Sequence, residues 1–176
     1  MVPTLKYSSF EAWRGLPGSV DGHKPGIEGP VINGFLSQFA AMKLALEATI
    51  SRAIEERHHL ILEGVHVVPT ELKLEVEKHD AVIVPIMLAT MKKGLLNKQL
   101  KRRGHEKHKR QASHYQEYLD DIWELQTWLM DEADKAGIAI IENWYFEDTV
   151  RAALDLVIGE LMKRFPPEPD GERYLH

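Results

Sequence analysis

Cysteine is absent from all 176 residues, which removes disulfide staples and thiolate metal sites from consideration. Long apolar runs are missing too. Stretches such as Ala81 to Ala89 fall far short of the ~20 residues that span a bilayer. The first residues lack the charged-then-apolar layout of a secretory leader, so the expected compartment is the cytoplasm. Nor is there an excess of positive charge. The 27 acidic residues outnumber 22 basic ones for a net −5, which argues against a general nucleic-acid binder. The remaining composition, 44% hydrophobic and 28% charged, is that of a globular domain long enough to bury a core, not of a disordered chain.

From Ser8 to Gly34, glycines 15, 18, 22, 26 and 29 interleave with Pro17, Pro25 and Pro30, so no long helix or strand fits there. Ile32, Phe35, Phe39, Met42, Leu46, Ile50 and Ile54 then recur at steps of three and four, which predicts a long helix to about Arg57. His59 to Val68 is almost continuously apolar and ends at Pro69, reading as a strand covered on both faces. Ala81 to Ala89 reads as a second strand with a bulge or edge at Pro85, which cannot donate to a ladder. Gly137 to Asn143 reads as a third.

Helices are expected from about Lys92 to Arg103, from Ser113 to Lys135 and from Glu147 to Arg164. Trp123 and Trp128, five apart, cannot share a face, so at least one meets the core or a lid. Alternating strands and helices predict an α/β domain with a parallel sheet and helices on both faces. The expected domain covers residues 1–165, with a lid about residues 92–135 and a flexible tail over 166–176.

Glu63-Gly-Val-His66 is the sharpest candidate site. A carboxylate at the carboxyl end of a buried parallel strand lies where α/β sheets bind ligands, and phosphoryl-transfer enzymes use such an acid to orient Mg²⁺ or the attacking oxygen. The plainer alternative is a strand emerging into solvent. Between Lys92 and Arg110, nine cations face one anion and leave +8, so the rest of the chain must carry −13 to reach −5. That imbalance suits gripping phosphates. A solvated helix face and a nucleic-acid patch are the rivals, the latter weakened by the lack of interleaved aromatics for base stacking. His105 and His108 share an i, i+3 spacing but have no well-placed third ligand, so solvated histidines are the fuller reading.

Several strings, taken in order, resemble 2-phosphoglycerate kinase and its bacterial relatives. They are Ser8-Ser-Phe-Glu-Ala-Trp13, Gly34-Phe-Leu-Ser-Gln38, Leu60-Ile-Leu-Glu-Gly-Val-His-Val-Val-Pro69, Tyr115 to Gln126, and Ile140-Ile-Glu-Asn143 with Glu147-Asp-Thr-Val150. The resemblance implies the fold of nucleoside-monophosphate-kinase-like P-loop proteins and Mg-ATP-dependent phosphorylation of a small phosphorylated acid. In the founding case, 2-phosphoglycerate becomes 2,3-bisphosphoglycerate. It further implies that Glu63 and His66 lie beside the γ-phosphate, with Glu63 at the metal. Ser8, Ser9, Arg14 and Gln38 would line the acceptor pocket, Arg102, Arg103 and Arg110 would belong to a lid, and Asn143 would lie near the adenine.

Two features depart from the family. Lys92-Lys-Gly-Leu-Leu96 replaces a His and Arg-Phe pattern of the archaeal enzymes, which leaves the acceptor acid open. The Gly-x-x-x-x-Gly-Lys-Ser/Thr phosphate loop occurs nowhere in the sequence. The expectation is therefore the C-terminal two-thirds of such a kinase, lacking the central first strand and loop and inactive alone. The expected partners are a small phosphorylated acid and either an N-terminal fragment, which would supply the loop, or further copies in a homo-oligomer. The alternative is a non-catalytic binding or regulatory module that keeps the fold.

Overall fold

The computed structural model describes residues 29–72, 81–107 and 117–167. Its elements are α1 (Pro30–Glu55), a 3₁₀ turn (Pro69–Glu71), β1 (Ile86–Ala89), α2 (Lys93–Lys107), α3 (Leu119–Lys135), β2 (Ala139–Glu142) and α4 (Phe146–Arg164). It is an α/β arrangement of four helices and a two-stranded parallel sheet among the described residues. No described helix is long and apolar enough to cross a membrane.

Helix α1 begins at Pro30, whose fixed φ and missing N–H suit the first helical position. Its apolar stripe is buried only in the first half. Val31, Ile32, Phe35 and Phe39 form a core cluster with Val68 and Leu125, while Met42 and Leu44 face outward. Helix α3 joins the two parts of the molecule, because it packs against α1 and also against both strands. Of the two expected tryptophans, Trp128 meets this core, with its ring edge-on to Phe35 at 5.9 Å.

The strands pair in the register Ile86 with Ala139 through Ala89 with Glu142. The crossover joining them carries α2 and α3, as parallel pairing requires. Helix α3 ends in a turn that delivers the chain into β2. Gly137, at φ +66°, donates to the Asp134 carbonyl at 3.0 Å, and Ile138 donates to that of Ala133 at 2.8 Å. Helix α4 then packs on β2.

Two strand expectations are corrected. The segment from His59 to Val68 is irregular, and Ile61 is 95% exposed. A continuous apolar run becomes a strand only beside a neighbour that takes its backbone groups, and among the described residues β1 pairs only with β2. The second strand is confined to Ile86–Ala89, directly after Pro85, where the missing N–H ends its eligibility for the ladder. The third matches its expected core, and the four helices lie within a few residues of their expected bounds. Ser113 to Gln116, the start of one expected helix, falls outside the described residues.

Candidate functional site

The first grouping forms where the chain turns back on α1. Gly64 has φ +152°, a backbone setting that side-chain-bearing residues rarely adopt. Its carbonyl accepts from the Val67 amide at 3.0 Å, which closes a turn. That turn aims His66 at α1, where its Nε2 stands 2.9 Å from Gln38 Oε1 and its ring stacks on Phe35 at 5.3 Å between centroids.

Gln38 is 5% exposed and Phe35 is 0% exposed, so the imidazole rests on a rigid, dry floor. Burial disfavours the charged imidazolium and lowers the His66 pKa below its ordinary 6.5. With Gln38 Oε1 as acceptor, Nε2 carries the proton and Nδ1 keeps its lone pair. His66 is thus a neutral, oriented imidazole near pH 7. Glu63 lies just before the bend and is exposed, so its expected place at the end of a buried strand is corrected. Burial on this segment comes later, at Val68.

The second grouping sits at the carboxyl ends of β1 and β2. Thr90, buried just past β1, is clamped by Gln126 of α3. Its amide donates to Gln126 Oε1 at 3.0 Å, and Gln126 Nε2 donates to the Thr90 carbonyl at 3.0 Å. Thr90 Oγ1 donates to Gln99 Oε1 at 3.0 Å, and Gln99 Nε2 donates to the Asn143 carbonyl at 2.9 Å. The Asn143 amide donates to the Ala89 carbonyl at 2.8 Å.

One side chain of the basic helix α2 is therefore tied to both strand ends. Arg102 stands three residues beyond Gln99, on the neighbouring part of the same face. The start of α2 is held from two more sides. Lys93 Nζ pairs with Asp120 Oδ1 at 2.6 Å, and Lys92 Nζ lies 5.4 Å above the Trp144 ring. The result is a cationic helix fixed at the end of a parallel sheet where α/β proteins bind their ligands.

Of the expected site residues, Gln38 and His66 are brought into contact, Asn143 joins the strand-end grouping through its backbone, and Arg102 is exposed on α2 beyond Gln99. Ser8, Ser9, Arg14 and Arg110 lie outside the described residues, as do His108 and the side chains of Arg103 and His105. Thr90, Gln99 and Gln126 were not expected. They are uncharged polar residues on separate elements, and nothing local in the sequence announces their meeting.

Among the described residues no group of three or more His, Asp or Glu side chains is placed to hold a metal. Mg²⁺ in phosphoryl transfer is commonly held by one or two carboxylates together with the substrate's phosphates, so exposed Glu63 fits as a single donor. Cations of α2 fit phosphate oxygens. A backbone-amide cradle of the Gly-Lys-Ser/Thr kind is not encoded.

The chain is 32% identical over 166 residues to the 2-phosphoglycerate kinase of Pyrococcus horikoshii, covering 93% of this chain and 52% of that protein. The Pyrococcus furiosus enzyme of the same name matches at 32% over 167 residues, with 93% and 52% covered. That of Methanopyrus kandleri matches at 30% over 175 residues, with 99% and 50% covered. The chain thus spans about half the length of these curated relatives, a smaller share than the two-thirds expected from its motifs. No protein-family model and no solved structure matches.

Proposed function

The chain belongs to the 2-phosphoglycerate kinase-like family, and on that footing we propose that it is part of an ATP-dependent phosphotransferase acting on a small phosphorylated acid. The observation that carries the reading is the cationic helix α2, tied through Gln99 to the carboxyl ends of both parallel strands. Mg-ATP, when bound, supplies the transferable phosphoryl group and the ion that spreads its charge.

This chain's own residues then have separate tasks. Glu63 holds the ion. Arg102, Arg103 and Arg110 neutralise phosphate oxygens within a lid drawn from the part of residues 92–135 that precedes α3, because α3 itself packs in the core. Asn143 contacts the base. Ser8, Ser9, Arg14 and Gln38 receive the acceptor, and 2-phosphoglycerate is the first candidate. His66, neutral and fixed by Gln38, presents an unprotonated Nδ1 that can hold a proton without a prior ionisation. The proposed compartment is the cytoplasm.

With no phosphate loop in the sequence, we further propose that the chain alone binds nucleotide weakly and turns over only with a segment that supplies the loop. The missing motif also favours a second reading, a binding or regulatory module without catalysis. Calorimetric titration of Mg-ATP into the 176-residue chain, repeated with Glu63→Gln, tests the first reading. Weak or absent heat for the chain alone is expected. Tight saturable binding would overturn the need for a further segment, and its weakening in Glu63→Gln would support the role given to Glu63. Failure to phosphorylate 2-phosphoglycerate or related acids, even with the other half of a relative added, would leave the second reading.

A further inference from the structure

Helix α4 carries more apolar surface than the sheet covers. Thr149, Ala152, Ala153, Leu156 and Val157 lie on its buried or half-buried side. A second stripe at steps of three and four, Phe146, Val150, Leu154, Ile158, Leu161 and Phe165, faces outward. Its exposure ranges from 39% at Val150 to 80% at Phe146. Phe146, Val150, Leu154 and Ile158, with Glu147, Arg151 and Asp155 alongside, form one open face of the helix. A contiguous apolar band of this kind marks an interaction surface.

We propose that the stripe is a self-association surface on which a second copy of this chain packs its own α4 antiparallel. The charge row beside the stripe selects this occupant. Glu147, Arg151 and Asp155 follow one another at steps of four and alternate in sign. In an antiparallel pair, the same flank of each helix meets its own copy in reverse. A dyad at the level of Ala153 then sets Arg151 of each copy against Asp155 of the other, giving two reciprocal ion pairs. In a parallel pair, that flank would face the opposite one, which carries Ala153 and Val157, and the charges would find no complement.

The area agrees with such a pair. The exposed parts of the six stripe residues amount to roughly 500–600 Å² per copy, so the pair can bury up to about 1,100 Å². That total sits near the threshold for a specific interface, and because area does not set affinity, the association is tested over a wide concentration range. The proposal stands apart from the phosphotransfer reading.

Sedimentation of the full chain from about 1 to 200 µM tests it, and a concentration-dependent dimer is expected. Leu154→Glu raises the dissociation constant at least about tenfold with unchanged circular dichroism, because the side chain already meets solvent. Arg151→Asp and Asp155→Arg each weaken the dimer by about three- to tenfold, and the double swap returns it to within about twofold of the parent. A chain that stays monomeric throughout overturns the proposal, as does a dimer indifferent to Leu154→Glu or a double swap without rescue. A monomer destabilised by Leu154→Glu also overturns it, since another segment of the same chain would then be covering the stripe.

Discussion

Arg57 and Gly137 occupy the same position in two helix-ending turns. After α1, Arg57 donates to the Ile54 carbonyl at 3.1 Å and His58 to that of Ala53 at 2.8 Å, repeating the bonds that close α3. Both residues are left-handed, at φ 53° and 66°. Glycine adopts that setting freely, whereas a residue with a Cβ is strained there by about 1–2 kcal/mol. Part of the gain from glycine is lost to its greater freedom in the unfolded chain, so Arg57→Gly is expected to stabilise by roughly 0.5–1 kcal/mol. Gly137→Ala should destabilise by a similar amount. Urea midpoints of the two variants check the pair.

His66 gives the pH dependence at this scale. Its folded-state pKa lies below the unfolded 6.5, because burial penalises the imidazolium. Between those two values the unfolded chain binds more protons than the folded one, so stability rises with pH across the window. The contribution is complete above 6.5, is lost as pH falls through it, and levels off below the folded pKa. His66→Phe, which keeps a ring on Phe35, should flatten the difference in urea midpoint between about pH 5 and pH 7.5. An unchanged difference would mean that the wild-type slope comes from other groups.

At the scale of elements, the strand ends depend on Gln126. Its amide satisfies both backbone groups of buried Thr90, a task an adjacent strand would otherwise perform. Gln126→Leu preserves bulk and helix propensity but strands a donor and an acceptor, and should cost about 2–4 kcal/mol. Loss of less than about 0.5 kcal/mol by urea unfolding would mean that water replaces the amide at little cost.

This network also marks what the sequence made legible. Helices were readable because apolar residues at steps of three and four leave a local signature, and Pro85 announced the edge of β1 for a reason internal to one residue. The clamp was not readable. It joins residues 9, 36 and 44 positions apart, and no pattern within one element specifies such a meeting. His59 to Val68 failed for the same reason, since ladder pairing belongs to two segments and an apolar run describes only one. The contact of Gln38 with His66, 28 positions apart, was not foreseen, since the family resemblance assigned Gln38 to the acceptor and His66 to the γ-phosphate.

For the whole molecule, α3 decides whether the two parts stand or fall together. On one side it closes the α1 core through Leu125, and on the other it packs on both strands and clamps Thr90. Among the described residues Leu125 is one of six buried members of its cluster, the α3 residue that closes it against α1. Leu125→Ala removes three heavy atoms' worth of contact and leaves a cavity, at a cost of about 2–4 kcal/mol. Against a typical domain stability of about 5–15 kcal/mol, that leaves the folded population vulnerable near physiological temperature. If α3 couples the parts, the sheet must melt with the core. Tryptophan fluorescence, sensitive to Trp128 beside Phe35 and to Trp144 beyond β2, and far-ultraviolet dichroism should then report one coincident transition in both parent and variant. Two resolved fluorescence steps, one lost in Trp128→Phe and the other in Trp144→Phe, would show that the α1 core and the strand-end network fold as independent units. Helix α3 would then be a link between them and not a shared core element.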